Sequence, residues 1–197
     1  MSGRLGVLLL VSGPSGSGKT SLCQALRDAG EVVYSISCTT RRIRDGEVDG
    51  EHYHFLSVEE FERRVAAGDF LEHALVHGNR YGTLKASVLQ RLEAGTDVAM
   101  DIDVQGAVQV RGCEDEFIRK ALVDVFVMPP TMEELEERLS GRGTESAGEM
   151  EVRLANAAAE MEHAEAYGHV IESGTRKEDY ECLLGLLVGA RGKRIGK

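Results

Sequence analysis

A run of consecutive residues near the start of the chain has the composition of a phosphate-binding loop: Gly13-Pro14-Ser15-Gly16-Ser17-Gly18-Lys19-Thr20. The run fits G-x-x-x-x-G-K-[ST] at every defined position. Glycines let backbone N–H groups converge on phosphate oxygens, and the N-terminus of a following helix adds positive potential. We expect Lys19 to reach the β- and γ-phosphates and the Thr20 hydroxyl to lie where Mg²⁺ is held. A glycine loop without a ligand is the alternative, but the position between a predicted strand and a predicted helix favours a nucleoside triphosphate site.

Two carboxylates at the end of another predicted strand could orient the metal ion. Asp101 and Asp103 are separated by one residue, so strand alternation places them on the same face. We expect Asp101 to bind Mg²⁺ through water, in concert with Thr20. A polar edge strand with two solvated carboxylates is the alternative interpretation.

Three arginines, Arg41, Arg42 and Arg44, lie close together after the second predicted strand. A guanidinium group binds phosphate oxygens through two parallel N–H donors. Tyr53 and Tyr81 follow in the same region, and each could donate its hydroxyl to a phosphate. A solvated charged face with packed tyrosines is the alternative, and the residues alone leave both open.

The elements that must position these residues alternate between strands and helices. Strands are predicted at 7–11, 32–37, 97–102, 122–128 and 170–171. Helices are predicted at 19–29, 57–67, 84–93, 105–111, 131–139, 149–166 and 177–190, with capping boxes at Ser57 and Thr131. A polar stretch at 141–148 and a basic tail at 191–197 are expected to be flexible. The alternation predicts an α/β fold, with a central parallel sheet flanked by helices and with residues 38–83 as an inserted lobe.

The composition excludes some classes of partner. The chain has 197 residues, enough for one domain, with 23 Lys and Arg against 33 Asp and Glu and a net charge of −10. A protein that coats nucleic acid or an anionic membrane needs a cationic surface, so neither partner is expected. The cysteines lack disulfide or zinc spacing and are expected to be reduced, at positions 23, 38, 113 and 182. With no signal peptide or membrane-spanning run, the chain is expected to be cytoplasmic.

Several further runs, in order along residues 12–162, resemble the signature of guanylate kinases. These runs are Ser-Ile-Ser-Cys-Thr-Thr-Arg at 35–41, Gly-Glu-Val-Asp-Gly-Glu-His-Tyr-His-Phe at 46–55, Phe-Leu-Glu-His at 70–73, Gly-Asn-Arg-Tyr-Gly-Thr at 78–83 and Asp-Ile-Asp-Val-Gln-Gly at 101–106. The resemblance implies that ATP phosphorylates GMP, and dGMP as well, in a reaction that needs Mg²⁺. It also implies a single domain of the P-loop nucleoside monophosphate kinase fold, with a core at 1–36, 96–130 and 168–190, a GMP-binding lobe at 37–95 and a lid at 131–167.

The resemblance assigns two sets of acceptor residues. The GMP phosphate would be held by Arg41, Arg44, Tyr53 and Tyr81. Guanine would be held by Ser37, Glu72, Thr83 and Asp103. Base chemistry supports the second set, because a carboxylate can accept two parallel N–H donors of guanine, whereas adenine would present a ring-nitrogen acceptor to it. Without the resemblance, Glu72 would be interpreted as a surface acid.

A further group of cations, separate from the acceptor residues, lies in the predicted lid. Arg138 and Arg142 are four residues apart on one helix face, and Arg153 is on the next helix. Pairing of Arg138 with Glu134 is the structural alternative. The resemblance implies that these three arginines, together with Lys19 and Arg41, neutralise the transferring phosphoryl group.

The chain departs from the family pattern at two places. Ile43 stands where the family usually has proline between the two phosphate-binding arginines. Glu172-Ser173-Gly174 stands where the family has an asparagine that contacts adenine, so Ser173 is expected to supply that contact. Two other functions remain open: a kinase of another acceptor such as a ribose bisphosphate, and a non-enzymatic interaction module. The module is disfavoured because the loop residues Gly18, Lys19 and Thr20 are all present.

Overall fold

The computed structural model describes residues 4–76, 78–140 and 147–195, and its centre is a five-stranded parallel sheet. The strands lie in the order β2-β7-β1-β8-β9. Their bounds are Leu8–Ser12 for β1, Val33–Tyr34 for β2, Val98–Asp101 for β7, Leu122–Met128 for β8 and His169–Glu172 for β9. Every residue of β1 is buried, as expected of a central strand covered on both faces. The predicted α/β fold is confirmed.

Helices cover both faces of this sheet. They are α1 (Lys19–Asp28) and α8 (Arg176–Ile195) on one face, and α3 (Lys85–Glu93), α4 (Val104–Arg111) and α5 (Glu116–Ala121) on the other. Alternation along the central strand divides its side chains between two cores. Leu9 packs with the buried Cys23 of α1, whereas Leu8 and Leu10 pack towards α3 and α4.

A second sheet of four strands, in the order β4-β3-β6-β5, forms most of the predicted lobe. Its strands are β3 (Cys38–Thr39), β4 (His54–Phe55), β5 (Phe70–Val76) and β6 (Asn79–Leu84), and helix α2 (Val58–Ala67) packs on it. The buried part of its core is small: Cys38, Phe61 and Phe70. The remaining helices are α6 (Met132–Ser140) and α7 (Ala147–Met161), which pack through Leu135, Leu139 and Ala157.

Both capping predictions are confirmed. The Ser57 hydroxyl accepts the backbone N–H of Glu60, and the Thr131 hydroxyl accepts that of Glu134. Helix α3 has Leu84 at its N-cap, without a side-chain bond to the helix. Other element ends differ because local patterns locate boundaries poorly. The strand predicted at 32–37 is only Val33–Tyr34, and the helix predicted to residue 166 ends at Met161 and is followed by a 3₁₀ turn at Ala164–Ala166.

Asp103 does not share a strand with Asp101. Strand β7 ends at Asp101, and Asp103 is the N-cap of α4, where its carboxylate accepts the backbone N–H of Gly106 at 2.7 Å. The predicted alternation therefore fails, because the carboxylate satisfies a helix N–H group rather than continuing the strand.

The predicted mobile tail is likewise corrected at its start. Helix α8 continues to Ile195, and Arg191 donates to the carboxylates of Asp97 and Glu31. Asp97 also accepts both Nη groups of Arg4, at 2.8 and 3.0 Å, and the backbone N–H of Val7 at 2.7 Å. This buried ionic cluster ties α8 to the segment before β1 and to the start of β7. No helix among the described residues is long and apolar enough to cross a membrane.

Candidate functional site

The phosphate loop lies between the end of β1 and the start of α1, as predicted. Gly18 caps α1 with a φ of 95°, a left-handed conformation that favours glycine and directs the first helical N–H groups into the loop. Gly13 is required for a second reason, because a Cβ atom there would lie 2.4 Å from the carbonyl oxygen of Val127. The loop therefore packs directly against β8, and its backbone donors converge on one point.

A cavity of about 390 Å³ opens in front of this loop. Its lining residues come from the loop and α1, from α6 and from the segment after β9: Gly16, Ser17, Gly18, Lys19, Thr20, Ser21, Leu22, Arg138, Ser173, Gly174, Arg176 and Asp179. The hydroxyl of Ser17 is buried and has no hydrogen-bond partner among the described residues. Loop amides, a helix N-terminus and three cationic side chains in one cavity suit a polyphosphate.

Thr20 and Asp101 meet at the inner end of this cavity. The Thr20 hydroxyl donates to the Asp101 carboxylate. Burial raises the pKa of Asp101, whereas the Thr20 hydroxyl and the charge of Lys19 lower it. A partly desolvated carboxylate beside a hydroxyl is an oxygen donor set of the kind that Mg²⁺ prefers, so the two residues fit the predicted metal.

A second cavity, of about 380 Å³, lies on the other side of Thr20. It extends between the core sheet and the second sheet, and its lining residues are Thr20, Gln24, Arg27, Tyr34, Ser35, Ile36, Ser37, Glu51, His52, Tyr53, Thr83, Met100, Asp101 and Ile102. Because Thr20 lines both cavities and Asp101 is bonded to it, a ligand in each would meet at this pair. Two cavities that share Thr20, beside the Asp101 carboxylate, can accommodate a phosphoryl donor and its acceptor.

The predicted base-binding residues form one cluster, of which Ser37 and Thr83 line the second cavity whereas Glu72 and Asp103 do not. The Ser37 and Thr83 hydroxyls are 3.4 Å apart, and Thr83 donates its hydroxyl and its backbone N–H to Glu72. An irregular register between Phe70 and Glu72 interrupts β5, and Glu72 is buried at that point.

The electrostatics of Glu72 favour a ligand that brings N–H donors. Burial raises the pKa of Glu72 most, the nearby charge of Asp103 raises it further, and the bonds from Thr83 lower it. The hydrogen bonds that lower the pKa of Glu72 come from the hydroxyl and the backbone N–H of Thr83, which are neutral donors. A base with two adjacent N–H groups would compensate this buried charge.

The predicted phosphate-binding residues lie together in the lobe, but they are not all at the second cavity. The Arg41 guanidinium lies 5.5 Å from the centroid of the Tyr53 ring, and the Tyr53 and Tyr81 rings meet edge to face at 6.0 Å. Tyr53 lines the cavity, whereas Arg41, Arg44 and Tyr81 do not. Arg44 is exposed. In this conformation the guanidinium groups of the predicted acceptor site therefore do not line the cavity that Thr20 and Asp101 line.

The predicted lid arginines have three different outcomes. Arg138 faces the first cavity and donates to Glu134 at 2.6 Å and to the Ser173 hydroxyl at 3.0 Å, so the pairing with Glu134 that was the structural alternative is present. Arg142 lies outside the described residues. Arg153 is half-buried on α7 and lines neither of the two cavities.

Sequence reasoning missed several residues at the site. Arg176 and Asp179 line the first cavity, and Asp179 accepts the Ser173 hydroxyl at 2.9 Å. Gln109 of α4 bonds both the backbone N–H and the carbonyl of His73, next to Glu72, at 3.0 and 2.9 Å. The sequence gives little indication of this role of Gln109, because an amide on a helix surface acquires such bonds only when the fold places a strand beside it.

Comparison with known proteins gives a consistent result. The sequence profile of the family described as guanylate kinase matches residues 6–187. A guanylate kinase from Chromohalobacter salexigens is 49% identical over 184 residues, which are 91% of this chain and 83% of the relative. One from Fusobacterium nucleatum is 46% identical over 183 residues, which are 93% of this chain and 96% of the relative.

Solved structures extend the comparison to the fold. The crystal structure of a guanylate kinase from Anaplasma phagocytophilum matches with a TM-score of 0.72 and 33% identity, over 98% of this chain and 89% of that one. A gluconokinase from Sinorhizobium meliloti matches with a TM-score of 0.52 and 18% identity, over 96% of each chain, and therefore shares the fold alone.

Proposed function

The chain belongs to the guanylate kinase family, and on that basis we propose that it transfers the γ-phosphoryl group of ATP to GMP, and to dGMP, giving ADP and GDP or dGDP. The observation that carries the proposal is the meeting of two cavities at Thr20 and Asp101, with a buried carboxylate, Glu72, in the acceptor lobe. The bond from the γ-phosphorus to the β–γ bridging oxygen breaks, and a bond from the γ-phosphorus to a GMP phosphate oxygen forms.

We propose that the loop cavity binds ATP through residues 13–20. The loop amides and Lys19 would hold the β- and γ-phosphates, and Ser173 with Asp179 lies at the far side of the same cavity. Thr20 and Asp101 would hold Mg²⁺, which shields phosphate charge when it is bound. Of the cations proposed to neutralise the moving phosphoryl group, Lys19 and Arg138 already face this cavity. Arg41 and Arg153 would have to join them, and Arg142, which lies outside the described residues, is proposed to act with them.

We propose that the second cavity and the lobe bind GMP. Ser37, Glu72, Thr83 and Asp103 would bind guanine. Arg41, Arg44, Tyr53 and Tyr81 would bind its phosphate. The acceptor is itself a phosphate with nucleophilic oxygens, so no general base is needed, and the residues act by alignment and charge neutralisation. Since Arg41 and Arg44 do not line the second cavity in this conformation, we expect the lobe to close during the reaction, which would also exclude water.

The test measures ATP consumption with a panel of acceptors: GMP, dGMP, AMP, CMP, UMP and ribose phosphates. We expect GMP and dGMP to be phosphorylated at least about a hundredfold faster than the others, because the wrong base leaves a buried carboxylate unpaired. Phosphorylation of a ribose phosphate in preference to GMP would overturn the proposal.

Substitution of Glu72 distinguishes a kinase that phosphorylates GMP from one that phosphorylates a sugar phosphate without a base. Glu72→Gln should raise the KM for GMP, since the amide presents an N–H group where guanine also presents one. The matched control is Glu62→Gln, on the exposed surface of α2 in the same lobe, which should behave as wild type. A KM for the preferred acceptor that does not change in Glu72→Gln would mean that this acceptor carries no base. Turnover of no acceptor at all by the wild-type protein would favour an interaction module.

A further inference from the structure

Glu47 is the acid that most directly contacts the proposed acceptor arginines. Its two carboxylate oxygens accept Nη1 and Nη2 of Arg41 at 3.1 and 2.7 Å, and one of them also accepts the backbone N–H of Arg44 at 2.8 Å. Both partners are well enclosed, with the side chain of Arg41 13% exposed and that of Glu47 17% exposed. One carboxylate therefore bonds to both residues that are proposed to bind the GMP phosphate.

The bonds to Arg41 occupy one edge of its guanidinium. The Nη1 group also donates to the carbonyl of Arg42 at 2.8 Å, so both Nη1–H groups and one Nη2–H group are engaged by these contacts. A guanidinium has five N–H donors. The Nε–H and the second Nη2–H lie on the adjacent edge, which can bind a phosphate in a bidentate manner. The Tyr81 hydroxyl contacts the same guanidinium, and Tyr81 is also proposed to bind the phosphate.

Glu47 also fixes the backbone that carries Arg44. The backbone N–H of Glu47 donates to the Arg44 carbonyl at 3.1 Å, and Gly46 between them has a φ of 84°. The bond from the Arg44 N–H to the Glu47 side chain closes this turn from the other direction. Ile43, which stands where the family usually has proline, is 51% exposed. The turn is thus held by the Glu47 carboxylate rather than by proline.

We propose that Glu47 is a positioning residue for the acceptor phosphate: it orients the Arg41 guanidinium and holds the Arg44 turn before GMP arrives. This inference rests on the proposed function. The bonds from Arg41 and from the Arg44 N–H lower the pKa of Glu47 to about 2, so the carboxylate stays charged throughout the pH range of an assay. The opposite possibility is that Glu47 competes with the phosphate for Arg41 and must be displaced. The Nε edge of Arg41, which the bonds to Glu47 and to the Arg42 carbonyl do not use, favours positioning, because the carboxylate and a phosphate can bind different edges at once.

The two possibilities predict opposite changes in Glu47→Gln. The glutamine keeps one acceptor oxygen but cannot accept both Nη groups and the Arg44 N–H. Under positioning, the KM for GMP rises about tenfold, kcat changes less than about threefold and the KM for ATP is unchanged. Under competition, the KM for GMP falls. The control is again Glu62→Gln, because Glu62 pairs with Arg80 in the same lobe but is exposed.

A double-mutant cycle separates positioning from a general effect on the fold. Once Arg41 is removed by Arg41→Ala, adding Glu47→Gln should raise the KM for GMP by less than about threefold, whereas independent structural effects would multiply. If the Glu47→Gln protein does not fold, Glu47→Asp, which shortens the reach by one methylene, is measured with the same expectation.

The outcomes distinguish this inference from the proposed function. Failure of the wild-type protein to form GDP from GMP would remove the proposed function. A wild-type protein that forms GDP, together with a Glu47→Gln protein whose KM for GMP is unchanged or lower, would overturn the positioning role alone.

Discussion

Asp97→Asn should lower the free energy of unfolding by about 2–3 kcal/mol at pH 7. The Asp97 side chain is 1% exposed and accepts bonds from Arg4, Arg191 and the backbone N–H of Val7. Removing one partner of a buried ion pair costs about 3–5 kcal/mol. We expect less because the two arginines are 21% and 24% exposed, so water partly replaces the lost bonds, and because asparagine still accepts the Val7 N–H. In a chain of this length the melting temperature should fall by roughly 5–10 °C.

The difference in stability between wild type and Asp97→Asn should also depend on pH, in a direction set by the pKa of Asp97. Burial raises the pKa of Asp97, but the bonds from Arg4, Val7 and Arg191 together lower it by more than burial raises it. The pKa of Asp97 in the folded protein is therefore below its ordinary value. A group whose pKa is lower in the folded state contributes stability that is present above its unfolded pKa, about 3.9, and is lost as the pH falls through its folded pKa. The difference in stability between wild type and Asp97→Asn should therefore be constant above about pH 5 and should shrink below about pH 4.

Urea unfolding followed by circular dichroism, at pH values from 3 to 8, measures this difference. The control is Glu116→Gln, which removes an exposed pair with Lys120 and should unfold with the wild-type protein. Equal stability of wild type and Asp97→Asn at pH 7 would refute the reasoning, and so would a difference that does not shrink in acid.

Two further predictions concern the site. Lys19→Met should lower kcat by roughly three orders of magnitude, because it removes a cation from the proposed phosphate site. Thermal unfolding should be unchanged, since the hydrogen bond from the Lys19 amine to the Pro14 carbonyl is long, at 3.4 Å. Wild-type turnover would contradict the role of the loop. Gly106→Ala should raise the KM for GMP several-fold, because the added Cβ would lie 3.3 Å from a Glu72 carboxylate oxygen. The melting temperature should not fall, because alanine is about 1 kcal/mol better than glycine in a helix. An unchanged KM, measured by initial rates, would mean that Glu72 does not contact the base.

Features that depend on neighbouring residues could be predicted from the sequence. The phosphate loop is a contiguous motif, and its strand and helix follow from an apolar run and a glycine cap. The caps at Ser57 and Thr131 are also local, since each bond spans three residues.

Features that depend on distant partners could not be predicted. Arg191 was assigned to a mobile tail because its partner, Asp97, is 94 residues away. Asp103 was misplaced because an aspartate after a strand can either extend it or cap the next helix, and only the path of the chain decides. The short α5 carries too few turns to show a period, although its N-cap, Asp115, accepts two backbone N–H groups. The acceptor cluster was located only through the family resemblance, because Glu72 taken alone has the pattern of a surface acid.

The reactivity of the two buried cysteines, Cys23 and Cys38, can report on partial unfolding of the chain. Cys23 lies in the large core beneath the phosphate loop and Cys38 in the small core of the second sheet, and burial raises the pKa of these thiols to about 12 and about 11. An exposed, deprotonated thiolate attacks a thiol reagent, so each buried cysteine can react only when its own region opens. The second sheet buries far fewer apolar side chains than the core sheet, so it should open more often. Labelling rates at Cys38 and Cys23 would then report separately on the opening of the lobe and on the unfolding of the core.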